Sequence, residues 1–151
     1  MNGAAERQAS RGASAVRRVR FCAGHRLWKH EGVCAHFHGH NYTAEFHAVA
    51  DHLDEVGRVI DFAVLKEKLG GWIDGNWDHS FICHQDDREA RDALAKISGQ
   101  PVFLMDANPS AENMASYLLR VVGPRELSGA NVRLVRVVLH ETDNCFAVAE
   151  M

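Results

Sequence analysis

No apolar run in this 151-residue chain is long enough to cross a bilayer: stretches such as Val137-Val138-Leu139 end after a few residues, against the roughly 18 a span requires. No membrane partner is expected. The first fifteen residues (MNGAAERQASRGASA) lack the apolar h-region of a secretory signal, so the protein is expected to stay cytoplasmic. None of the four cysteines, Cys22, Cys34, Cys83 and Cys145, forms a CxxC pair. Their scatter fits free thiols in a reducing compartment better than a disulfide framework. Charge of one sign is also missing, since 17 Lys and Arg against 20 Asp and Glu leave a net charge of -3. That balance argues against a general nucleic-acid binder and favours small partners. There is no internal repeat, no low-complexity core and no H-E-x-x-H helix of the kind that marks many zinc hydrolases.

What the chain does have is an ordinary globular composition, 46% apolar and 25% charged, at a length suited to one packed domain. Residues 1–15 are non-periodic and rich in Ala, Ser, Gly and Arg, which predicts a mobile N-terminal arm followed by a single domain over 16–151. The unusual count is ten histidines.

Alternation over 16–27 places Val19, Phe21, Ala23, His25 and Leu27 on one strand face. After a loop, His38, His40, Tyr42, Ala44, Phe46 and Ala48 share a face of a second strand. Asp61 reads as the N-cap of a helix with Phe62, Leu65, Leu69, Trp72 and Ile73 in its buried stripe. Residues 74–84 read as an irregular loop, 86–96 as a short helix and 101–105 as a possible short strand. Ala111, Met114, Ala115, Leu118, Leu119 and Val122 predict a second main helix ended by Gly123-Pro124. Val135, Val137, Leu139 and Glu141 share the face of a third strand, with Cys145 to Ala149 returning as a hairpin. The order ββααββ predicts an α+β fold: a four-stranded antiparallel sheet with two main helices on one face.

His25, His38 and His40 thus point inward from neighbouring strands. Three imidazoles with an open fourth position are the ligand set of a catalytic zinc site. A single such histidine would more often be a hydrogen-bonded core residue; three together favour a metal. Gly39 is expected where the backbone passes close to the next strand. Cys34, in the loop before His38, offers either an inert thiol or a base whose pKa a nearby cation would lower. Asp78-His79 offers a carboxylate and an imidazole for proton transfer, or ordinary loop polarity. Glu141 either faces water or accepts two adjacent N–H donors from a planar ligand edge such as that of guanine or a pterin.

The segments F-C-A-G-H-R-L (21–27), C-A-H-F-H-G-H-N-Y (34–42), I-D-F (60–62), W-D-H (77–79), P-S-A-E-N (109–113) and H-E-T (140–142) together resemble the 6-pyruvoyl- and 6-carboxytetrahydropterin synthase superfamily over about residues 17–149. The resemblance implies the tunnelling fold, in which trimers close their sheets into a barrel and two trimers stack into a homohexamer, with sites between subunits. It implies that zinc binds His25, His38 and His40, that Cys34, Asp78 and His79 form a proton-transfer triad, and that Glu141 anchors the pterin ring. The C-x3-H gap from Cys34 to His38 resembles the 6-carboxy branch, while the H-G-H-N-Y ending is shared with the pyruvoyl branch. His140 departs from the family pattern and places an imidazole next to Glu141 in sequence.

The implied activity is that of a lyase converting 7,8-dihydroneopterin triphosphate to 6-carboxytetrahydropterin, acetaldehyde and triphosphate, a step toward queuosine. Two alternatives remain open on the sequence. One is the pyruvoyl synthase reaction, which eliminates triphosphate without breaking the carbon chain. The other is a non-catalytic zinc protein that binds a pterin or purine.

Overall fold

The computed structural model describes residues 7–151. Its centre is a long antiparallel pair, β1 (Ser14–His25) and β2 (His38–Val49), with Ser14 opposite Val49 and His25 opposite His38. Period-two alternation decides the faces. Ala15, Phe21, Ala23 and His25 on β1 and Tyr42, Ala44, Phe46 and Ala48 on β2 are buried, whereas Arg18, Arg20 and Cys22 are exposed on the other side. β5 (Arg133–His140) pairs antiparallel with β2, and β6 (Phe146–Glu150) returns on β5 as the expected hairpin. Thr142 Oγ1 accepts from the backbone N–H groups of Asn144 and Cys145 and shapes that turn.

The sheet has six strands rather than the expected four, in the order β4-β3-β1-β2-β5-β6. The additions are β3 (Ser80–His84) and β4 (Val102–Met105), the latter the possible short strand read at 101–105, both parallel to β1. Residues 80–84 were expected to be irregular because they show no alternation. The reason is burial on both faces: Ser80, Phe81, Ile82 and Cys83 are all buried, as in strands covered on two sides. A short helix, Arg88–Ala95, supplies the second cover, with Ala90 and Leu94 packed on Phe81 and Cys83.

The β5 face also differs in one place. A β-bulge sets Arg136 opposite His47 but Leu134 opposite Ala48. Leu134, not Val135, therefore joins Val137 and Leu139 on the inner face.

Both main helices lie on the inner face, where Leu65, Leu69, Trp72, Ile73, Met114, Leu118, Leu119 and Val122 close one core with the strands. Each such side chain contributes about 1.5–3 kcal/mol on burial. Asp61 caps the first helix by accepting from Ala63 N at 2.8 Å. That helix runs through Phe62–Leu65, a π-helical turn at Lys66–Gly70, and Gly71–Asn76. Phe62, expected in its buried stripe, is 53% exposed because it precedes the region where the helix meets the sheet. The second helix, capped by Ser110, passes through Ala111–Tyr117, a π turn at Leu118–Val122, and Gly123–Glu126. Gly123-Pro124 does not end it as expected. The widened turn precedes Pro124, so the missing proline N–H falls where the regular ladder is already interrupted.

Of the expected N-terminal arm, residues 1–6 lie outside the described residues. Beyond them, Gln8 and Ser10 exchange backbone hydrogen bonds with Leu53 and Asp51. Among the described residues, no helix is long and apolar enough to cross a membrane.

Candidate functional site

The last residue of β1, His25, faces the first of β2, His38, and His40 follows on the same face. The ring centroids lie 4.5 Å apart for His25–His38 and 5.1 Å for His25–His40 and His38–His40. One nitrogen from each ring falls within 4.8 Å of the others. Gly39 permits this approach, because a Cβ there would meet the Ala23 carbonyl oxygen at 2.8 Å. The close passage expected of it is observed.

Two of the rings are oriented by backbone carbonyls. His25 Nδ1 donates to Pro109 O and His38 Nδ1 to His36 O, each at 2.7 Å. Since a carbonyl only accepts, the protons sit on Nδ1 and the Nε2 lone pairs are free. His25 Nε2 is buried without a hydrogen-bond partner, a costly position for an acceptor unless a cation takes the lone pair. Burial pushes the His25 pKa down to about 4, and the neighbouring His38 and His40 act in the same direction. His40 is also lowered by burial, against the opposing charge of Glu141. Neutral imidazoles of this kind are ready to ligate, so the donor set fits a metal ion.

Glu141 lies beside the trio, its Oε1 at 3.8 Å from His25 Nε2 and 4.0 Å from His40 Nε2. Its neighbour His140 turns away and approaches Glu45 at 3.6 Å. Tyr42 was legible only as a buried face residue, yet its hydroxyl is 3.3 Å from His25 Nδ1. Burial, and then the Glu141 charge, hold that phenol well above its usual range. Beneath the trio, Tyr42 stacks on Phe21 at 4.9 Å.

Cys34 is half-buried in the 26–37 loop, and its carbonyl accepts from Leu27 N at 2.8 Å. The start of the loop is clamped by Asn108, whose side chain accepts from Trp28 N at 2.8 Å and donates to Trp28 O at 2.9 Å. No sequence signal pointed to Asn108, or to the Pro109 carbonyl next to it. Cys83, by contrast, is buried with its thiol pKa pushed up to about 11 by desolvation, and is chemically quiet.

Asp78 and His79 form a pair, Nδ1 to Oδ2 at 2.8 Å. Both are fixed to β1 through Cys22, whose N–H donates to Asp78 Oδ1 at 2.9 Å and whose carbonyl accepts from His79 N at 2.7 Å. Burial works to raise the Asp78 carboxyl, but the Cys22 N–H and the His79 ring outweigh it and hold it below the usual range. His79 adopts a left-handed φ of 58° and its side chain is 79% exposed. Among the described residues, no hydrogen bond or ion pair joins Asp78 or His79 to Cys34 or to the imidazole trio. One chain therefore brings the trio and Glu141 together, while the Asp78–His79 pair bonds to Cys22 and not to them.

A family model described as 6-pyruvoyl tetrahydropterin synthase matches residues 14–151. Proteins named 6-carboxy-5,6,7,8-tetrahydropterin synthase from Rickettsia felis and Rickettsia conorii are 42% and 41% identical to this chain over 131 residues, or 87% of it and 95% of each relative. Among solved structures, an uncharacterized protein from Wolinella succinogenes superposes with a TM-score of 0.76 at 24% identity, covering 91% of this chain and 97% of that one. The 6-pyruvoyl tetrahydropterin synthase of Caenorhabditis elegans gives 0.65 at 23% identity, covering 92% and 95%. These two likenesses show a shared α+β fold. The matched span begins at the first residue of β1 and includes every element that holds the trio, Glu141, Cys34 and the Asp78–His79 pair, and over that span the chain belongs to the 6-pyruvoyl tetrahydropterin synthase family.

Proposed function

We propose that the protein is a zinc-dependent 6-carboxy-5,6,7,8-tetrahydropterin synthase, a cytoplasmic lyase that converts 7,8-dihydroneopterin triphosphate to 6-carboxytetrahydropterin, acetaldehyde and triphosphate. The observation that carries the reading is the convergence of three imidazoles, each offering a nitrogen within 4.8 Å of the others, with a buried, unpartnered Nε2 among them. The relatives of about 40% identity that bear the 6-carboxy name, and the C-x3-H gap after Cys34, favour this branch.

In this reading His25, His38 and His40 hold the zinc ion. When bound, it supplies Lewis acidity and a template for the side-chain hydroxyls of the substrate. The Glu141 carboxylate accepts two N–H groups from the pterin edge, which fixes the ring beside the trio. Cys34 Sγ and the His79 ring, the latter oriented by Asp78, take and return protons as the side chain breaks. Because no hydrogen bond or ion pair within one chain joins Asp78–His79 to the trio, and the family resemblance implies sites between subunits, we assign the pair to a neighbouring protomer's site in a trimer-based homo-oligomer, expected to be a hexamer. The matched span, from the first residue of β1 at Ser14 to residue 151, then forms one domain.

The test is a single assay of the zinc-loaded protein with 7,8-dihydroneopterin triphosphate, analysed for acetaldehyde and for pterin products. Acetaldehyde with 6-carboxytetrahydropterin supports the proposal. A pyruvoyl product without acetaldehyde moves the protein to the other branch. Cys34→Ala should lower turnover by about 10²–10⁴-fold with zinc and ligand binding retained; unchanged behaviour in that variant would instead favour a binding protein in which the thiol is inert.

A further inference from the structure

Residues immediately beside two of the imidazoles are tied together by one guanidinium. Arg26 follows His25, Phe37 precedes His38, and the segment between them carries Cys34. Arg26 Nε and Nη2 donate to Asp87 Oδ2 and Oδ1 at 2.6 and 2.5 Å, and Nη2 reaches Glu89 at 3.1 Å. The Arg26 Cζ lies 5.5 Å from the centre of the Phe37 ring, which in turn packs on Phe81 at 4.6 Å. Asp87 is an immobile anchor, 1% exposed, and its Oδ1 also accepts from Ala90 N at the start of the short helix. A planar fork held at both prongs and resting on a ring fixes direction as well as distance, which a lysine in its place would not.

We propose that Arg26 is a positioning residue: its fork on Asp87 and its contact with Phe37 close the 27–36 loop at both ends and set Cys34 in place relative to the imidazole trio. The inference rests on the reading that Cys34 moves a proton, and it adds the device that holds the thiol for that task. A small displacement of a reacting group costs up to about 10²-fold in rate, so a loosened loop should act on the chemical step more than on substrate binding.

The experiment compares the zinc-loaded full-length protein with its Arg26→Lys, Phe37→Leu and Arg26→Ala variants. Two readouts are taken: steady-state kinetics with 7,8-dihydroneopterin triphosphate, and the rate of Cys34 alkylation by iodoacetamide followed by peptide mass spectrometry. The expected result is a kcat lowered by about tenfold with KM within about twofold, zinc content unchanged, and Cys34 alkylated about threefold faster relative to Cys22 in the same sample. If Arg26→Ala does not fold, Arg26→Lys and Phe37→Leu carry the test, since the first keeps the charge beside Asp87 and the second keeps the ion pair. Wild-type kcat and wild-type Cys34 alkylation in both variants would overturn the proposal. Should the wild-type protein show no turnover of this substrate, the functional reading fails while the alkylation rates still decide the role of Arg26.

Discussion

The three imidazoles differ in their surroundings, and the difference sets what each substitution does. His25 is 1% exposed and bonded to the Pro109 carbonyl, whereas His40 is only half-buried. His25→Ala and His40→Ala should both abolish stoichiometric metal binding in elemental analysis. In the metal-free protein, however, urea unfolding should show a loss of about 2–4 kcal/mol for His25→Ala, from the cavity and the stranded carbonyl, and about 1 kcal/mol for His40→Ala. Asp87 gives a pH-dependent counterpart. Hydrogen bonds from Arg26 hold its carboxyl below the usual range, against the opposing effect of burial. The folded state therefore binds fewer protons than the unfolded one in acid. This stabilisation is complete above the ordinary carboxylate pKa and is lost as pH falls through the depressed folded value. Stability measured by urea from about pH 5 to pH 2 should fall more steeply for wild type than for Asp87→Asn. The convergence of the trio was legible from strand parity, whereas parity left Glu141 open between water and a ligand. The Pro109 carbonyl was not legible, since a backbone acceptor carries no residue-type signal, and neither was the Arg26–Asp87 pair, whose partners lie 61 residues apart.

Among the elements, the β1–β2 crossing is the most exacting. A Cβ on Gly39 would press on the Ala23 carbonyl at 2.8 Å, and backbone cannot yield without spreading the strands that carry His25, His38 and His40. A Cβ on Gly24 would likewise meet the Phe81 ring at 2.8 Å, and that ring is buried against Ala90, Leu94 and Phe37 and has little room to yield. Gly39→Ala and Gly24→Ala should each cost about 1–3 kcal/mol, and Gly39→Ala, which spreads the two ligand-bearing strands, should also weaken metal affinity, as thermal unfolding and metal titration would show. The long strands and both main helices were readable because each buries one face, so their periods of 2 and 3.6 survive in the sequence. β3 was obscured by burial on two faces, whereas β4 matches the short strand read at 101–105, and only its place in the sheet was missed. The bulge at Val135 and the π turns before Gly71 and Pro124 each offset the pattern by a single residue, which no periodic template anticipates.

At the scale of the whole molecule, the sheet ends on two strands with apolar residues open to solvent, Val102 (39%) and Leu104 (44%) on β4 and Phe146 (57%) and Val148 (42%) on β6. Edges of that kind favour pairing with another chain, in keeping with the homo-oligomer proposed above. The proposed assignment of the Asp78–His79 pair to a neighbouring protomer's site then has a genetic consequence. A chain carrying Cys34→Ala still brings an intact His79, and a chain carrying His79→Ala still brings an intact thiol. Two dead alleles expressed together should restore part of the lost turnover through mixed assemblies, as intragenic complementation, while either allele alone stays silent.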